Sequence, residues 1–307
     1  MPIITSIHDG KQITVKQLTG DPKVIPTRVI DRLENAFIAE SILYNGGTAT
    51  TPAVTYERNA QSYVAEDPEA VAEYAEIPLA SPRTGEIITQ QAAKFGSGVV
   101  ASQEMIDFND RRRLDKSITQ VVNTFRRWND RQLWDAFNAA GVPTMPVSVA
   151  WNQQGADPRY DFSMGMSSIG EQKALVNGDI SGAFTADTIV MHTSVAPLLV
   201  GSEKWNNVYA SNLANESIRY TGKLPNDIMG LAVLTTPYID PKKVLLLERG
   251  TAGFFSDPRP LGATTLYPMG GGGNGGPTET WRSDVTQMRN IGIDEPNAAL
   301  WLTGVTA

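Results

Sequence analysis

One stretch of the chain, from Ser102 to Ala140, contains neither glycine nor proline. Five large apolar residues within it are spaced by four, three, four and three positions, which places them on one face of an α-helix: Leu114, Ile118, Val121, Phe125 and Trp128. Ser102 is a good N-cap, and Gly141 with Pro143 ends the helix. The sequence therefore predicts one continuous helix, about 58 Å long by the standard rise per residue, which serves as a spine for the rest of the molecule.

The segment before this helix, residues 48–98, has a different character. Threonine, valine and tyrosine alternate with polar residues, as in Val54-Thr55-Tyr56-Glu57, and several prolines interrupt the run. This pattern predicts two β ribbons joined by a turn at Ser81–Gly85. Because the segment has too few large apolar residues to build a core of its own, we expect it to lie against another part of the assembly.

The remaining chain divides around these two features. Residues 1–26 read as an extended arm, and the apolar spacing from Thr27 to Tyr44 predicts a short helix. Residues 142–270 read as an α/β domain, with helices over 166–176 and 194–208 and strands at 188–191, 228–234 and 244–247. A glycine-rich loop, Gly270–Pro277, then leads to a strand-like segment, Thr280–Val305, that is broken at Asp294-Glu295-Pro296.

Composition excludes several classes of protein. The chain has 307 residues, a formal net charge of -7, no cysteine and only two histidines, His8 and His192. Disulfides and thiolate chemistry are therefore excluded, a zinc site is not expected, and a dedicated nucleic-acid binder would need clustered positive charge. We expect no cofactor. The first residues show no signal peptide, and no run of apolar residues is long enough to cross a membrane.

Three patterns suggest catalysis, and each has a simpler explanation. The glycines at 271, 273 and 276 match a dinucleotide fingerprint, but a strand rather than a helix follows Pro277. His192 precedes Thr193-Ser194, so a Ser–His pair is conceivable, and the acidic stretch Glu66-Asp67-Pro68-Glu69 could supply paired carboxylates. A flexible turn, a strand-end histidine and an exposed acidic face explain these patterns better, so the sequence predicts a protein that is not an enzyme.

The charges of the extended segment and the long helix are opposite. Residues 111–131 carry seven basic and two acidic side chains, whereas residues 57–86 carry seven acids and two arginines. The basic residues could form a solvated face, contact nucleic acid or contact another protein. We favour contact between copies, in which loop acids of one copy face helix arginines of the next: Glu66, Asp67, Glu69 and Glu73 against Arg111, Arg112, Arg113, Arg126, Arg127 and Arg131.

Three stretches resemble a known family: Asp67–Pro78, Glu279–Thr286 and Ile291–Ala299. With the order of the parts, they resemble the major capsid proteins of tailed bacteriophages, which have the Hong Kong 97-type fold. The closing stretch is similar to that of phages of actinobacteria. The resemblance implies an α+β fold with an arm (1–27), a peripheral domain with a spine helix (28–47 and 99–141), an extended β-hairpin loop (48–98), an axial domain (142–270) and a return to the peripheral domain (271–307).

The resemblance also implies a function. The chain would self-assemble into pentamers and hexamers of an icosahedral shell that encloses double-stranded DNA, and it would be built in the host cytoplasm as part of the virion. Its partners would be other copies of itself, portal, scaffolding or decoration proteins, and DNA through weak non-specific contact, with no membrane. Lys94 lies near the loop base, but no matching partner is found, so an isopeptide crosslink is not predicted.

Two alternatives to the phage capsid stay open. One is an encapsulin-like shell that encloses a cargo enzyme, which shares the fold. The other is a soluble hydrolase that uses His192 or the acidic cluster.

Overall fold

The chain is described from a computed structural model, which covers residues 21–34, 36–59, 70–79, 84–171, 184–201, 227–270 and 276–307. Several sequence predictions lie outside these residues: most of the amino-terminal arm, Glu66, Asp67 and Glu69, most of the turn at 81–85, and glycines 271 and 273.

The first helical region is two helices rather than one. Helix α1 spans Val24–Leu33, and a short helix, α2, spans Ile38–Ile42. Between them Glu34 and Phe37 take extended backbone, with ψ of 129° and 125°. The single helix predicted over Thr27–Tyr44 is therefore wrong. The break lets Phe37 bury its ring against the guanidinium group of Arg289, 5.1 Å from the ring centre, a long-range contact that local spacing does not reveal.

The extended segment forms an antiparallel hairpin at its base. After a two-residue strand β1 (Tyr44–Asn45), strand β2 (Ala53–Arg58) pairs with β3 (Glu86–Gln91) in register from Ala53↔Gln91 to Arg58↔Glu86. The predicted ribbon pair is confirmed for these residues. Strand β4 (Lys94–Ser102) follows and belongs to a different sheet, so the hairpin ends at Gln91, seven residues before the expected boundary at 98.

The long helix is interrupted near its start. A short helix, α3, spans Gln103–Asp107, and the long helix, α4, spans Arg111–Ala139. Asn109 between them has a left-handed φ of 51°, which ends one helix before the next begins. The predicted continuous helix from Ser102 is thus corrected: α4 has 29 residues and is about 44 Å long.

Capping explains where the two helices begin. The Ser102 side chain accepts a hydrogen bond from the Met105 amide and caps α3, whereas Asp110 accepts one from the Arg113 amide and caps α4. The predicted apolar stripe lies entirely within α4 and is buried from Leu114 to Phe125. Gly141, with a φ of 74°, follows the C-cap residue Ala140 and ends the helix as predicted.

The second half of the chain alternates strands and helices. Three of its predicted strands are confirmed within a residue or two, with a turn at Met229-Gly230 that splits one of them. The helix expected over 166–176 instead begins at Pro158, where Asp157 caps it. The elements are β5 (Thr144–Pro146), α5 (Pro158–Gly170), β6 (Thr188–His192), α6 (Ala196–Gly201), β7 (Asp227–Ile228), β8 (Leu231–Thr236) and β9 (Lys243–Leu247).

The last part of the chain is mostly strand. It comprises β10 (Phe254–Ala263), β11 (Tyr267–Pro268), a 3-10 turn (Gly276–Thr278), β12 (Thr280–Gly292), a second 3-10 turn (Pro296–Ala298) and β13 (Ala299–Thr303). The break that was predicted at Asp294–Pro296 is confirmed.

These strands form two larger sheets. In the first, β1, β10, β12 and β11 follow one another, and β4 pairs along the other edge of β12. In the second the order is β5-β13-β9-β6-β8-β7. The expected return of 271–307 to one domain therefore applies to β12 but not to β13, and β10 joins the first sheet although it precedes residue 270. The reason is that β13 is apolar and buried on both faces, which suits a strand inside a sheet.

Helix α4 packs in two different cores. Its first half contacts α1 and β4 through Leu114, Ile118 and Phe125. Its second half contacts α2, β9 and β13 through Leu133 and Phe137. A third core lies inside the second sheet's half of the molecule, between α5, β6 and β8. The α+β architecture is thus two sheets joined by one helix, with the β2–β3 hairpin as a separate ribbon.

Candidate assembly surfaces

The base of the β2–β3 hairpin is fixed to the end of the first sheet. The amide of Asn59 donates to the Asp294 carbonyl at 2.8 Å, and Arg58 Nε donates to the Ile293 carbonyl at 3.4 Å. The ring of Tyr56 meets Phe254 edge to face, with ring centres 5.1 Å apart. Because these contacts hold both the backbone and side chains of the hairpin, its position on the first sheet is well fixed, and the loop extends from there.

The described part of the projecting loop, residues 70–79, is exposed along its whole length. Three of its apolar side chains are largely exposed: Tyr74 is 98%, Leu79 89% and Ile77 74% accessible. Soluble proteins seldom leave a run of large apolar side chains uncovered, so such a run marks a surface that another molecule covers. We call residues 70–79 the apolar strip. Glu73, one of the predicted contact acids, lies within it.

The predicted arginines of α4 do not share one environment. Arg112, Arg113, Arg127 and Arg131 are exposed, and Arg111 is partly buried. Arg126 is partly buried too, and its Nη2 donates to the carbonyl of Arg32 at 2.8 Å. That carbonyl lies in the last turn of α1 and lacks a partner in its own helix, so Arg126 acts as a cap for α1.

The exposed basic side chains lie along one face of α4. Arg112, Lys116, Arg127 and Arg131 are separated by four, eleven and four positions, which returns to the same side of a helix. We call these four residues the basic stripe, which is about 28 Å long. Lys116 had not been singled out from the sequence, although its helical spacing from Arg112 could have identified it. In the described part of one chain, no ion pair joins Glu73 to this stripe.

A buried ion cluster, which the sequence did not predict, holds the first sheet together. Arg289 on β12 is 3% exposed and donates to Glu40 on α2 at 2.6 Å and to both carboxylate oxygens of Asp257 at 2.8 Å. Burial alone would lower the pKa of Arg289, but the two carboxylates raise it above its usual value. The cluster therefore stays charged and ties α2, β10 and β12 to one another.

A second buried charge links the two sheets. Asp130 on α4 is 4% exposed and accepts hydrogen bonds from Thr236 Oγ1, at the end of β8, and from the Ile38 amide at the start of α2. Burial raises the pKa of Asp130 to about 6, although both hydrogen bonds and the nearby Arg126 favour its charged form.

The structure gives little support to catalysis at His192 or to dinucleotide binding at the glycine-rich loop. Nδ1 of His192 accepts a hydrogen bond from the Ser194 amide at 3.0 Å and lies 2.7 Å from Ser194 Oγ. No carboxylate contacts His192 among the described residues, so the third member of a triad is missing there. At the glycine loop, Gly276 begins a 3-10 turn that leads into strand β12, so the helix that would receive a pyrophosphate is not found at that position.

Across the part of the chain that the structure describes, no three acidic or histidine side chains come together in a way that could hold a metal ion. Within the same residues, no helix combines the length and the apolar character needed to span a bilayer.

The described chain is a two-sheet α+β body that carries a separate β-hairpin and one long helix packed in two of its cores. The profile of the phage capsid protein family matches residues 85–301. The chain belongs to this family and is a structural phage capsid protein.

Solved structures confirm the Hong Kong 97-type fold. The mature capsid of bacteriophage PhiM1 matches with a TM-score of 0.58 and 13% identity over 87% of this chain and 86% of that one. The capsid of cyanophage P-SCSP1u matches with a TM-score of 0.60 and 9% identity over 87% of both chains. A virus-like particle from Pyrococcus furiosus matches with a TM-score of 0.54 and 12% identity over 91% of this chain and 97% of that one. No curated protein sequence matches the chain.

Phage capsids and a virus-like particle thus share this fold, so the fold alone does not decide between a phage capsid and an encapsulin-like shell. The family profile favours the phage capsid, because it is that of phage capsid proteins.

Proposed function

We propose that this capsid protein assembles into hexamers and pentamers of an icosahedral shell, in which the projecting hairpin of each copy lies over the adjacent copy. The observation that carries the proposal is the apolar strip, which is exposed along its length on a firmly anchored hairpin. Burial of Tyr74, Ile77 and Leu79 against a neighbour would stabilise the contact by about 1.5–3 kcal/mol per side chain. Because each contact is repeated over a closed shell, many modest contacts together are sufficient to stabilise the shell.

Charge complementarity would set the register of this contact. Glu66, Asp67, Glu69 and Glu73 of the loop would face the basic stripe of the neighbour, with Arg113 and Arg111 beside it. Exposed ion pairs contribute only about 0.2–1 kcal/mol each, so the charges select the partner surface while the apolar strip supplies most of the affinity. Arg126 contributes less than the sequence suggested, because it already caps α1.

The same proposal extends to what the shell encloses, where it assembles and which proteins take part. The shell encloses double-stranded phage DNA through weak non-specific contact, which suits a net charge of -7. Assembly takes place in the host cytoplasm with portal, scaffolding or decoration proteins, and the subunit acts without a catalytic site. An encapsulin-like compartment with an enzyme as cargo is the weaker alternative, and a gene neighbourhood with terminase and portal genes separates the two.

Assembly of the purified chain tests the proposal. We expect shells by negative-stain microscopy for the natural chain, alone or with its scaffolding partner. The double substitution Tyr74→Ser and Leu79→Ser should leave a folded subunit that no longer forms shells, because the strip loses its apolar surface. Tyr160→Ser, which changes an exposed tyrosine on α5, is the matched control and should assemble normally. Normal shells from the double variant would contradict the role of the strip, and a chain that remains a 33.3 kDa monomer with its phage partners would contradict assembly itself.

A further inference from the structure

Strand β1 ends in an asparagine that is followed directly by glycine, Asn45-Gly46, and both residues are exposed to water. Glycine has no side chain to obstruct its own nitrogen, so this dipeptide is prone to spontaneous deamidation. The Gly46 nitrogen attacks Cγ of Asn45, a C–N bond forms, the Cγ–Nδ2 bond breaks, and ammonia leaves with the proton of the Gly46 amide. Water then opens the resulting ring at either carbonyl and yields aspartate or isoaspartate.

The fold needs both residues of this labile pair. A Cβ atom at Gly46 would lie only 3.0 Å from Cδ2 of Phe254, so a larger residue would press on that ring. The side chain of Asn45 accepts a hydrogen bond through Oδ1 from the amide of Gly47 at 2.8 Å, which stabilises the turn that follows β1. Gly47 itself has a left-handed φ of 82°. The deamidation-prone sequence is therefore built into the turn.

The pairing of β1 with β10 holds the attacking nitrogen in place. The Gly46 amide donates to the Phe255 carbonyl at 2.8 Å, and the hydroxyl of Ser256 donates to the Gly47 carbonyl at 2.8 Å. While the first of these bonds is made, the Gly46 nitrogen keeps the proton that it must lose in order to attack. The second bond fixes the backbone one residue further on. The folded sheet therefore opposes the reaction.

Strand β1 is also the element of the first sheet that is easiest to open. It has two residues, both exposed, and lies at the end of the strand order next to β10. Short exposed elements at an edge open locally without unfolding of the rest of the protein. We infer that Asn45 is a site of spontaneous deamidation that the pairing of β1 with β10 controls, so that the pair reacts only when β1 leaves β10. The site belongs to the single subunit and does not depend on the proposed assembly.

The modified residue would weaken the attachment of the hairpin. The hydroxyl of Tyr44 donates to Oδ2 of Asp294 at 2.7 Å, and the Asp294 carbonyl accepts the Asn59 amide at the hairpin base. Both products place a new negative charge at residue 45, next to Tyr44. Isoaspartate also lengthens the main chain between residues 45 and 46 by one carbon, so the register of Asn45↔Phe255 cannot be kept. Deamidation therefore loosens the base of the β2–β3 hairpin.

Peptide mapping by mass spectrometry tests the inference on the full chain, incubated at mildly alkaline pH either folded or unfolded in urea. Digestion separates this site from the other two Asn-Gly pairs, at residues 177 and 274. We expect conversion of Asn45 in both samples, and slower conversion in the folded chain.

Two serine variants show whether local pairing sets the rate. Ser256→Ala removes the bond to the Gly47 carbonyl and should speed conversion at Asn45 in the folded chain roughly two- to tenfold, the effect of one hydrogen bond. Ser283→Ala is the matched control, because it removes a bond of the same kind and length, 2.8 Å to the Thr264 carbonyl, from the same sheet but away from β1. It should leave the rate at Asn45 unchanged.

Slower conversion in the folded chain, with acceleration by Ser256→Ala alone, supports the inference. Equal rates in the folded and unfolded chains would show that the pairing of β1 does not control the reaction. Equal acceleration by Ser283→Ala would show that the whole sheet must open, and would overturn the assignment to β1. If the folded natural chain and Ser256→Ala both leave Asn45 intact while the unfolded chain converts, the site is not reached by local opening and the inference fails.

Discussion

Asp130 brings three elements together through one carboxylate. It lies on α4, and its hydrogen-bond partners are Thr236 of the second sheet and the Ile38 amide of α2. The folded pKa of about 6 lies above the ordinary value of 3.8, so the folded state binds the proton more tightly than the unfolded state does. This group therefore favours folding most below about pH 4, and that contribution is lost as the pH rises to about 6.

Asp130→Asn tests this pH dependence, because the amide keeps a hydrogen-bond acceptor but cannot ionise. At pH 7 the charged carboxylate costs about 3 kcal/mol relative to its protonated form, from a shift of about two pKa units. We expect the variant to flatten the fall in unfolding free energy between pH 4.5 and 7.5, measured by urea denaturation of unassembled subunits. Asp135→Asn, an exposed carboxylate on the same helix, is the control. An unchanged pH profile for Asp130→Asn would contradict the assignment.

Arg289 is the second residue whose removal should be costly. Arg289→Met leaves Glu40 and Asp257 facing each other without a cation, so we expect a loss of about 3 kcal/mol in unfolding free energy, at the lower end for broken buried pairs because both acids are partly exposed. Arg289→Lys keeps the charge but loses the forked hydrogen bonds and the contact with Phe37 and Phe255. Its unfolding free energy should lie between those of the natural chain and Arg289→Met. Equal stability of the natural and Met chains would show that the cluster is not a support of the sheet.

At the scale of elements, the charge of α4 can be reversed without harming the helix. Arg111, Arg112 and Arg113 occupy its first turn, where acidic residues are favoured by the helix dipole. Changing all three to Glu should therefore preserve the circular dichroism spectrum while reducing shell formation, because the loop acids of a neighbour would be repelled. Arg159→Glu, on the exposed side of α5, is the control.

Exchanging the charges of both surfaces distinguishes electrostatic repulsion between copies from a loss of folding. If Glu66, Asp67, Glu69 and Glu73 meet these arginines, changing the four acids to Lys should restore assembly of the reversed variant. Raised salt should weaken assembly of the natural chain for the same reason. Failure of the swap, with both variants folded, would count against the pairing.

Elements with a regular local pattern could be predicted from the sequence. The apolar stripe of α4, the alternating hairpin and the short apolar strands of the second sheet each repeat within a few residues. The break between Leu33 and Ile38 could not be predicted, since it depends on the contact between Phe37 and the distant Arg289. The break at Asn109 is local, a left-handed residue followed by the Asp110 cap, and the apolar periodicity of the helix does not reveal it. Charge pointed to the exposed arginines of α4 but not to the apolar strip. Arg126 and Arg289 carry the same charge and have internal roles.

At the scale of the whole molecule, strand position along the chain does not predict sheet membership. β12 and β13 lie next to each other in the chain, but β13 pairs with β5 and β9, and β12 pairs with β4, β10 and β11. What distinguishes them is burial on both faces, which becomes visible only once the neighbouring elements are placed. The capsid family resemblance supplied the overall order of parts, and the structure supplied the boundaries.

The described chain passes between the two sheets three times: through α4, between β9 and β10, and between β12 and β13. A protease that cuts any one of these connections leaves the other two intact, and neither half can drift away from the other. The two halves are thus not separable modules that could be excised, exchanged or expressed alone. A particle built from such subunits can lose a peptide bond in one connecting segment while both halves of the cut subunit remain joined.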